Sequence, residues 1–334
     1  MTDLLKVVTE TPFNAETLLA GQSGPTTPNE RHYVRNHFAV PEHPGRLSID
    51  GLVRRPLTLT LDDLRARPSR AVVVTLECAG NGRAFLEPST RGEQWALGAV
   101  GTAEWTGVPL VDLLADADLL PEAVELLFAG ADSGTPAGQP GPIDFERSLP
   151  IHRLPGAIVA YAMNGEPLPS DHGAPFRLVV LGWYGMASVK WLARITAIPE
   201  RFEGFFQVDR YVVQGEPIGP IAPRAVIVSP AAGAQVHAGG HVVRGYAWSG
   251  SGGIKRVDVS VDGGASWLRA DLGRPASDFA WVPWEFRWDA AAGDAVLLAR
   301  ATDGAGHAQP LEQNWNALGY MNNAARPVAV TVKA

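Results

Sequence analysis

The chain of 334 residues holds a single cysteine, Cys78, which excludes a disulfide framework and a multi-cysteine zinc site. No apolar run approaches the roughly 18–20 residues needed to span a bilayer, so an integral membrane protein is not expected. The opening Met1-Thr2-Asp3-Leu4-Leu5-Lys6 lacks a basic n-region, a long apolar h-region and a twin arginine. The expected location is therefore the cytoplasm, or the periplasm had a leader been removed. A net charge of −7 argues against nucleic acid as a partner, because phosphate neutralisation needs a clustered positive face. Lysine is scarce: apart from Lys6, Lys190, Lys255 and Lys333, the 28 basic residues are arginines. A GC-rich genome accounts for that skew as readily as a need for planar guanidiniums around small oxyanions does.

Hydrophobic residues at 46% and charged residues at 19% are the balance of a globular protein, and disorder is excluded. At about 100–200 residues per domain the length gives two domains. The 36 glycines and 27 prolines point to loops and short strands. Residues 1–28 are polar and end in a Pro/Thr/Gly-rich stretch, and read as an arm lying on the surface. Strands are expected at Leu57-Thr58-Leu59 and from Ala71 to Leu76. Thr60 should cap a helix, with Asp63 three residues on, and Pro109 to Leu120 has helical spacing opened by proline. Strands and helices without regular alternation make residues 29–220 an α+β domain. Beyond Pro217, Pro220 and Pro223 the clear signals are strands. Val257, Val259 and Val261 alternate with polar residues before an Asp262-Gly263-Gly264 turn, and Val328, Val330 and Val332 alternate near the end. Residues 221–334 are therefore expected to form an immunoglobulin-like β-sandwich.

The sharpest local feature is Val74-Thr75-Leu76-Glu77-Cys78-Ala79-Gly80-Asn81-Gly82-Arg83. A buried strand ends at the cysteine, and small residues and then a cation follow. Small residues admit a bulky group near the backbone, and the arginine can lower the thiol pKa or hold an anion. A core cysteine acting as a small hydrophobe fits the same letters.

Cys78-Ala79-Gly80-Asn81 resembles the molybdenum-ligand motif of the sulfite oxidase family of molybdopterin enzymes. Tyr33-Val34-Arg35-Asn36-His37 resembles that family's first pterin-contacting segment. Tyr161-Ala162-Met163-Asn164-Gly165, Asp171-His172-Gly173-Ala174-Pro175-Phe176-Arg177 and Ser188-Val189-Lys190-Trp191-Leu192 are similar to its central blocks. Gly245-Tyr246-Ala247-Trp248-Ser249-Gly250, Asp262-Gly263-Gly264 with Trp267, and Trp315-Asn316 with Asn322 resemble its dimerisation domain. The blocks run in order from about residue 31 to the end.

The resemblance implies a molybdenum–molybdopterin cofactor with Cys78 as the protein's metal ligand. It implies cofactor contacts from Tyr33, Val34, Arg35, Asn36, His37, Asp132, His172, Arg177, Ser188, Val189 and Lys190. It implies a substrate pocket for a small oxyanion formed by Arg35, Arg83 and Trp95, with Tyr161 beside the metal. The implied reaction is oxidation of sulfite to sulfate in a homodimer. The runner-up is reduction of nitrate or of an S- or N-oxide, and a non-catalytic binding protein is the reading from another class. His43-Pro44-Gly45 reads as a turn, and no haem is expected, so electrons would pass to an external one-electron acceptor such as a cytochrome c. Two departures bear on substrate: Val282 and Ala187 stand where the family's animal members carry arginines, which removes positive charge from the expected anion pocket.

Overall fold

The structure is a computed structural model that describes residues 4–154 and 156–334. Three α-helices are assigned among these residues, at Leu61–Arg65, Leu110–Ala117 and Phe205–Val208, and the remaining architecture is sheet, short 3-10 turns and loop. The first helix starts at a capping box. The Thr60 hydroxyl accepts from the Asp63 amide at 3.2 Å, while the Asp63 carboxylate accepts from the Thr60 amide at 2.8 Å. The second opens after Pro109 and buries Leu110, Leu113, Leu114 and Ala117 on one face. Each leucine so buried contributes roughly 1.5–3 kcal/mol.

Two sheets organise the first half. One runs Leu57–Thr60, Arg46–Gly51, Leu192–Ile198, Glu125–Gly134, Ile143–Pro150, and Arg46–Gly51 and Leu192–Ile198 pair in parallel. The other runs Glu166–Pro167, Ile158–Met163, Val100–Pro109, Arg70–Glu77, all antiparallel, and Arg177–Val179 also pairs with Ile158–Met163. Ala103 and Trp105, from alternate positions of Val100–Pro109, pack with Val74, Leu76, Ile158, Ala160 and Trp95 in one core. That core extends to Cys78, and so the rigid end of Arg70–Glu77 carries the cysteine.

The second half has a four-stranded sheet, Arg224–Ser229, Gly239–Trp248, Val282–Ala290, Asp271–Leu272, and a five-stranded one, Gln235–His237, Val328–Lys333, Gly293–Asp303, Ile254–Ser260, Leu268–Arg269. The two share a core in which Val243 and Trp284 of the first meet Val257, Val259, Leu297 and Val330 of the second. The expected turn after Ile254–Ser260 is present: Gly263 and Gly264 take φ of 73° and 100°, and the Asp262 carboxylate accepts from the Ser266 amide and hydroxyl. Among the described residues no helix is long and apolar enough to cross a membrane.

The N-terminal segment differs from the expected surface arm. Leu5–Thr9 and Asn14–Thr17 form a hairpin, and Asn14–Thr17 is buried throughout. Its polar letters concealed internal partners: the Glu16 carboxylate accepts from the amides of Ala96 and Gly98 at 2.8 and 3.0 Å. Asn14 Oδ1 accepts from the Asn36 amide at 2.7 Å. Buried polar groups of this kind are tolerated because they are paired.

Candidate active site

Cys78 leaves the end of Arg70–Glu77 at the wall of a pocket with about 680 Å³ of open space, counting its mouth. Its amide donates to Ala99 O and its carbonyl accepts from the Asn81 amide, both at 2.9 Å. The first ties the cysteine to the neighbouring segment, and the second closes a tight turn. Burial raises the thiol pKa, and Arg35 and Arg83 pull it back down.

Arg35 lines the pocket, and its guanidinium donates to Asn36 O and, at 3.0 Å, to His37 Nδ1. With Nδ1 accepting, His37 carries its proton on Nε2, which donates to the Tyr211 hydroxyl oxygen at 2.5 Å. Burial, and then the adjacent Arg35 charge, hold His37 well below the usual imidazole pKa, so it is neutral. Phe145 and Phe206 cover its ring at centroid distances of 5.4 and 4.8 Å. Tyr211 stacks on Tyr320 at 5.2 Å, and Arg147 stands 5.7 Å from its ring centroid.

The far end of the pocket is cationic. Lys190 Nζ donates to Asn36 Oδ1 and to Asp171 O, the latter at 2.8 Å. Arg177 donates to His172 O at 3.0 Å and to Ser188 O at 2.8 Å, and its guanidinium lies 4.9 Å from the Trp105 ring centroid. His172 Nε2 donates to Asn29 O at 3.2 Å, and the His32 and His172 rings meet edge-on at 5.2 Å. Burial, then Arg177, depress the Lys190 pKa well below normal, and burial takes His32 down to about 4. Such a cluster gains from an anion.

Of the residues expected from the sequence, the pocket brings together Tyr33, Arg35, Asn36, His37, Cys78, Asp132, His172, Arg177, Ser188 and Lys190. Val34 and Val189 support it through backbone. Val34 exchanges two 3.0 Å bonds with Ala15, and Val189 O accepts from the Leu178 amide at 2.8 Å. Three others lie outside the lining. Trp95 is fully buried behind the cysteine, packed with Leu76 and Trp105. Tyr161 is half-buried on Ile158–Met163 against the larger core. Arg83 turns away from the pocket: its guanidinium donates to Glu93 O and Leu318 O at 2.9 and 3.1 Å and lies 5.1 Å from the Tyr320 ring centroid. A Cβ on Gly80 would come within 2.6 Å of that guanidinium. The small residue after Cys78-Ala79 thus makes room for the chain's own arginine. Of the two departures, Ala187 is buried on the turn whose neighbours Met186 and Ser188 line the pocket. Val282 packs in the core between the second-half sheets.

Sequence reasoning missed Tyr211, Tyr320 and His32. Tyr211 sits at φ 56°, and this backbone turn aims its ring into the site. Asp209-Arg210-Tyr211 carries no local signal of that.

The residues present fit a phosphate-bearing metal cofactor. Asp132 Oδ1 and His32 Nε2 are buried at the pocket with no hydrogen-bond partner, as groups awaiting a ligand would be. Burial raises Asp132 to about 6. Among the described residues no three His, Cys, Asp or Glu side chains could hold a metal by themselves. A metal at the single soft donor Cys78 would therefore depend on ligands from its cofactor.

This arrangement defines a molybdopterin-binding oxidoreductase, and comparison with known proteins agrees. Residues 37–206 match the family described as oxidoreductase molybdopterin binding domain, and residues 218–333 match the Mo-co oxidoreductase dimerisation domain. The chain belongs to the sulfite oxidase family. It is 36% identical to mitochondrial sulfite oxidase of Mus musculus over 98% of this chain and 66% of that protein. It is 34% identical to sulfite oxidase of Arabidopsis thaliana over 96% of this chain and 92% of that protein. Among solved structures, the sulfane dehydrogenase SoxCD of Paracoccus pantotrophus superposes with a TM-score of 0.85 at 31% identity, covering 97% of this chain and 85% of that one.

Proposed function

We propose that the chain oxidises a small sulfur oxyanion, sulfite in the first instance, at a molybdenum–molybdopterin centre held by Cys78. In balance, sulfite and water give sulfate, two protons and two electrons, and the electrons leave singly to an external acceptor such as a cytochrome c. The observation that carries this reading is the meeting of Cys78, Arg35 and the Arg177–Lys190–His172 cluster in one pocket, in a chain of this family.

Bound there, the molybdenum cofactor supplies two-electron oxygen-atom exchange. The chain's own residues do the rest. Cys78 supplies the thiolate ligand, which the neighbouring arginines favour. Arg177, Lys190 and His172 hold the cofactor phosphate, and Asp132 accepts from its ring system. Arg35 attracts the substrate anion by a charge-assisted contact. Tyr211, its oxygen held by His37 Nε2–H, keeps its own hydroxyl proton for the pocket that Cys78 also lines, in the role the sequence assigned to Tyr161. Residues 29–220 form the cofactor domain. Residues 221–334, an immunoglobulin-like sandwich in this reading, pair two subunits.

Metal analysis together with anaerobic addition of sulfite tests the proposal. One molybdenum per chain and sulfite-dependent reduction of the metal centre are expected. A loaded protein that sulfite leaves oxidised, but that nitrate reoxidises after chemical reduction, would overturn it in favour of a reductase.

A further inference from the structure

The carboxylate of Glu77, the residue before the metal-ligand cysteine, is fully buried and receives no role in the reaction above. A buried carboxylate requires compensation, and most of it comes from the second half of the chain. Arg224 pairs with Glu77 Oε1 at 2.9 Å, and Trp248 Nε1 donates to Oε2 at 2.9 Å. The first half adds Asn81 Nδ2, which donates to Oε1 at 2.9 Å. Arg224 Nη2 also donates to Asn81 O and Asn322 O, at 3.1 and 2.7 Å. Asn322 returns a bond to Gly82 O at 2.8 Å, and the Met321 amide donates to Ala79 O at 2.8 Å. At Gly82, with φ 87°, a Cβ would come within 2.7 Å of Asn322 O. A strap of residues 318–322 and the loop of residues 78–83 that carries the cysteine thus touch backbone to backbone.

We propose that Arg224 and Trp248, through Glu77, together with the 318–322 segment, position the Cys78 thiolate, so that the domain named for dimerisation also sets the metal-site geometry within its own chain. Groups from residues 224–322 bond Glu77, Ala79, Asn81, Gly82 and Arg83, on both sides of the cysteine. A fixed second shell of this kind governs how a ligand meets its metal. The inference rests on Cys78 being that ligand.

Cys78 is the single cysteine, which makes its thiol a clean probe. In the full-length chain without cofactor, 5,5′-dithiobis(2-nitrobenzoate) reports how readily the loop opens: the Cys78 thiolate attacks the reagent's S–S bond, forming a mixed disulfide and releasing one thionitrobenzoate. Trp248→Phe removes the Nε1 donor, and Glu77→Gln removes the charge while keeping the shape. Each is expected to raise the modification rate about tenfold, as loosening of a local segment does. In the loaded protein each should shift the thiolate-to-molybdenum absorption and lower kcat with little change in KM. Leu297→Ala, in the second-half core, lowers stability without touching the strap and should leave the rate and the absorption as in the parent.

Folded Trp248→Phe protein with the parent's rate and absorption would overturn the inference, as would equal changes in Leu297→Ala. If Glu77→Gln does not fold, Trp248→Phe decides alone. A parent whose absorption survives Cys78→Ser would refute the ligand reading itself. The thiol arm needs no metal and still tests the strap.

Discussion

Tyr211→Phe and Tyr161→Phe separate what the structure places in the pocket from what the sequence suggested. The Tyr211 hydroxyl oxygen accepts one hydrogen bond, from His37 Nε2 at 2.5 Å, while its ring stacks on Tyr320 and lies 5.7 Å from the Arg147 guanidinium. Removing the oxygen leaves those packing contacts in place, so the folding cost is that of one hydrogen bond, about 1 kcal/mol. The kinetic cost is larger. A positioned group that assists proton movement contributes about 10²-fold or more, equivalent to about 2.7 kcal/mol of barrier. Tyr161 lies outside the pocket lining, and its replacement should leave turnover within about twofold.

Burial lifts the Tyr211 pKa above its ordinary value, so the phenol stays protonated across about pH 6–9 and acts as a donor throughout that range. The assay is steady-state sulfite oxidation with cytochrome c, joined to anaerobic rapid-mixing reduction of the metal. The expected result is a loss of at least two decades in the reductive step for Tyr211→Phe, with melting temperature nearly unchanged. Parent-like rates in Tyr211→Phe beside a large loss in Tyr161→Phe would refute the placement.

Other tests address the remaining charges. Cys78→Ser should keep the cofactor, whose phosphate anchors lie elsewhere, and lose turnover; turnover at the parent rate would remove the ligand assignment. Sulfite should show a high Michaelis constant that rises with salt, and Ala187→Arg, beside the pocket, should lower it by one to two decades, the worth of a charge-assisted contact of roughly 1.5–3 kcal/mol. Val282→Arg should lower it not at all and should destabilise the chain by about 3 kcal/mol or more, since it places an unpaired charge in a core. The cofactor-free chain should weaken as pH falls from about 6.5 toward 4, measured by urea unfolding. His32 is depressed by burial to about 4, so the unfolded state binds more protons in that window and stability rises with pH, on the order of 3 kcal/mol from this group. Asp132, raised to about 6, acts in the opposite sense, and a stability that climbs on acidification would show that it outweighs the histidines.

The parts of the fold that were legible in the sequence are those fixed by neighbours along the chain. Thr60 and Asp63 form their capping box, and Val257 and Val259 face a core at the spacing that alternation demands. The residues that line the pocket were legible for another reason: most come from short contiguous runs with their own letters. The tyrosine pair at the pocket was not. Tyr211 and Tyr320 are 109 positions apart and meet through an αL turn and a strap from the second half, and neither leaves a local pattern. Asn14–Thr17 misled for a related reason, because polar letters signal solvent only when no internal partner is waiting.

The pocket divides its cations by what already occupies them. Arg177 and Lys190 spend part of their donors on backbone carbonyls of the loops that carry them, and this fixes their direction before any anion arrives. Donors fixed in advance cost little reorganisation when charge appears, which suits a cofactor that binds once and stays. At the thiol end Arg83 is committed to Glu93 O, Leu318 O and the Tyr320 ring, so it acts on Cys78 through space and offers no fork to a substrate. Of the two arginines that act on Cys78, only Arg35 lines the pocket. In the proposed reading, a change in substrate follows from the few residues around Arg35, Ala187 and Tyr211, while the cations assigned to the cofactor stay fixed. Arg83 also ties the ligand loop to Leu318 in the second half. The side chain that the sequence offered as a substrate ligand therefore belongs, by its contacts, to the strap that holds the loop.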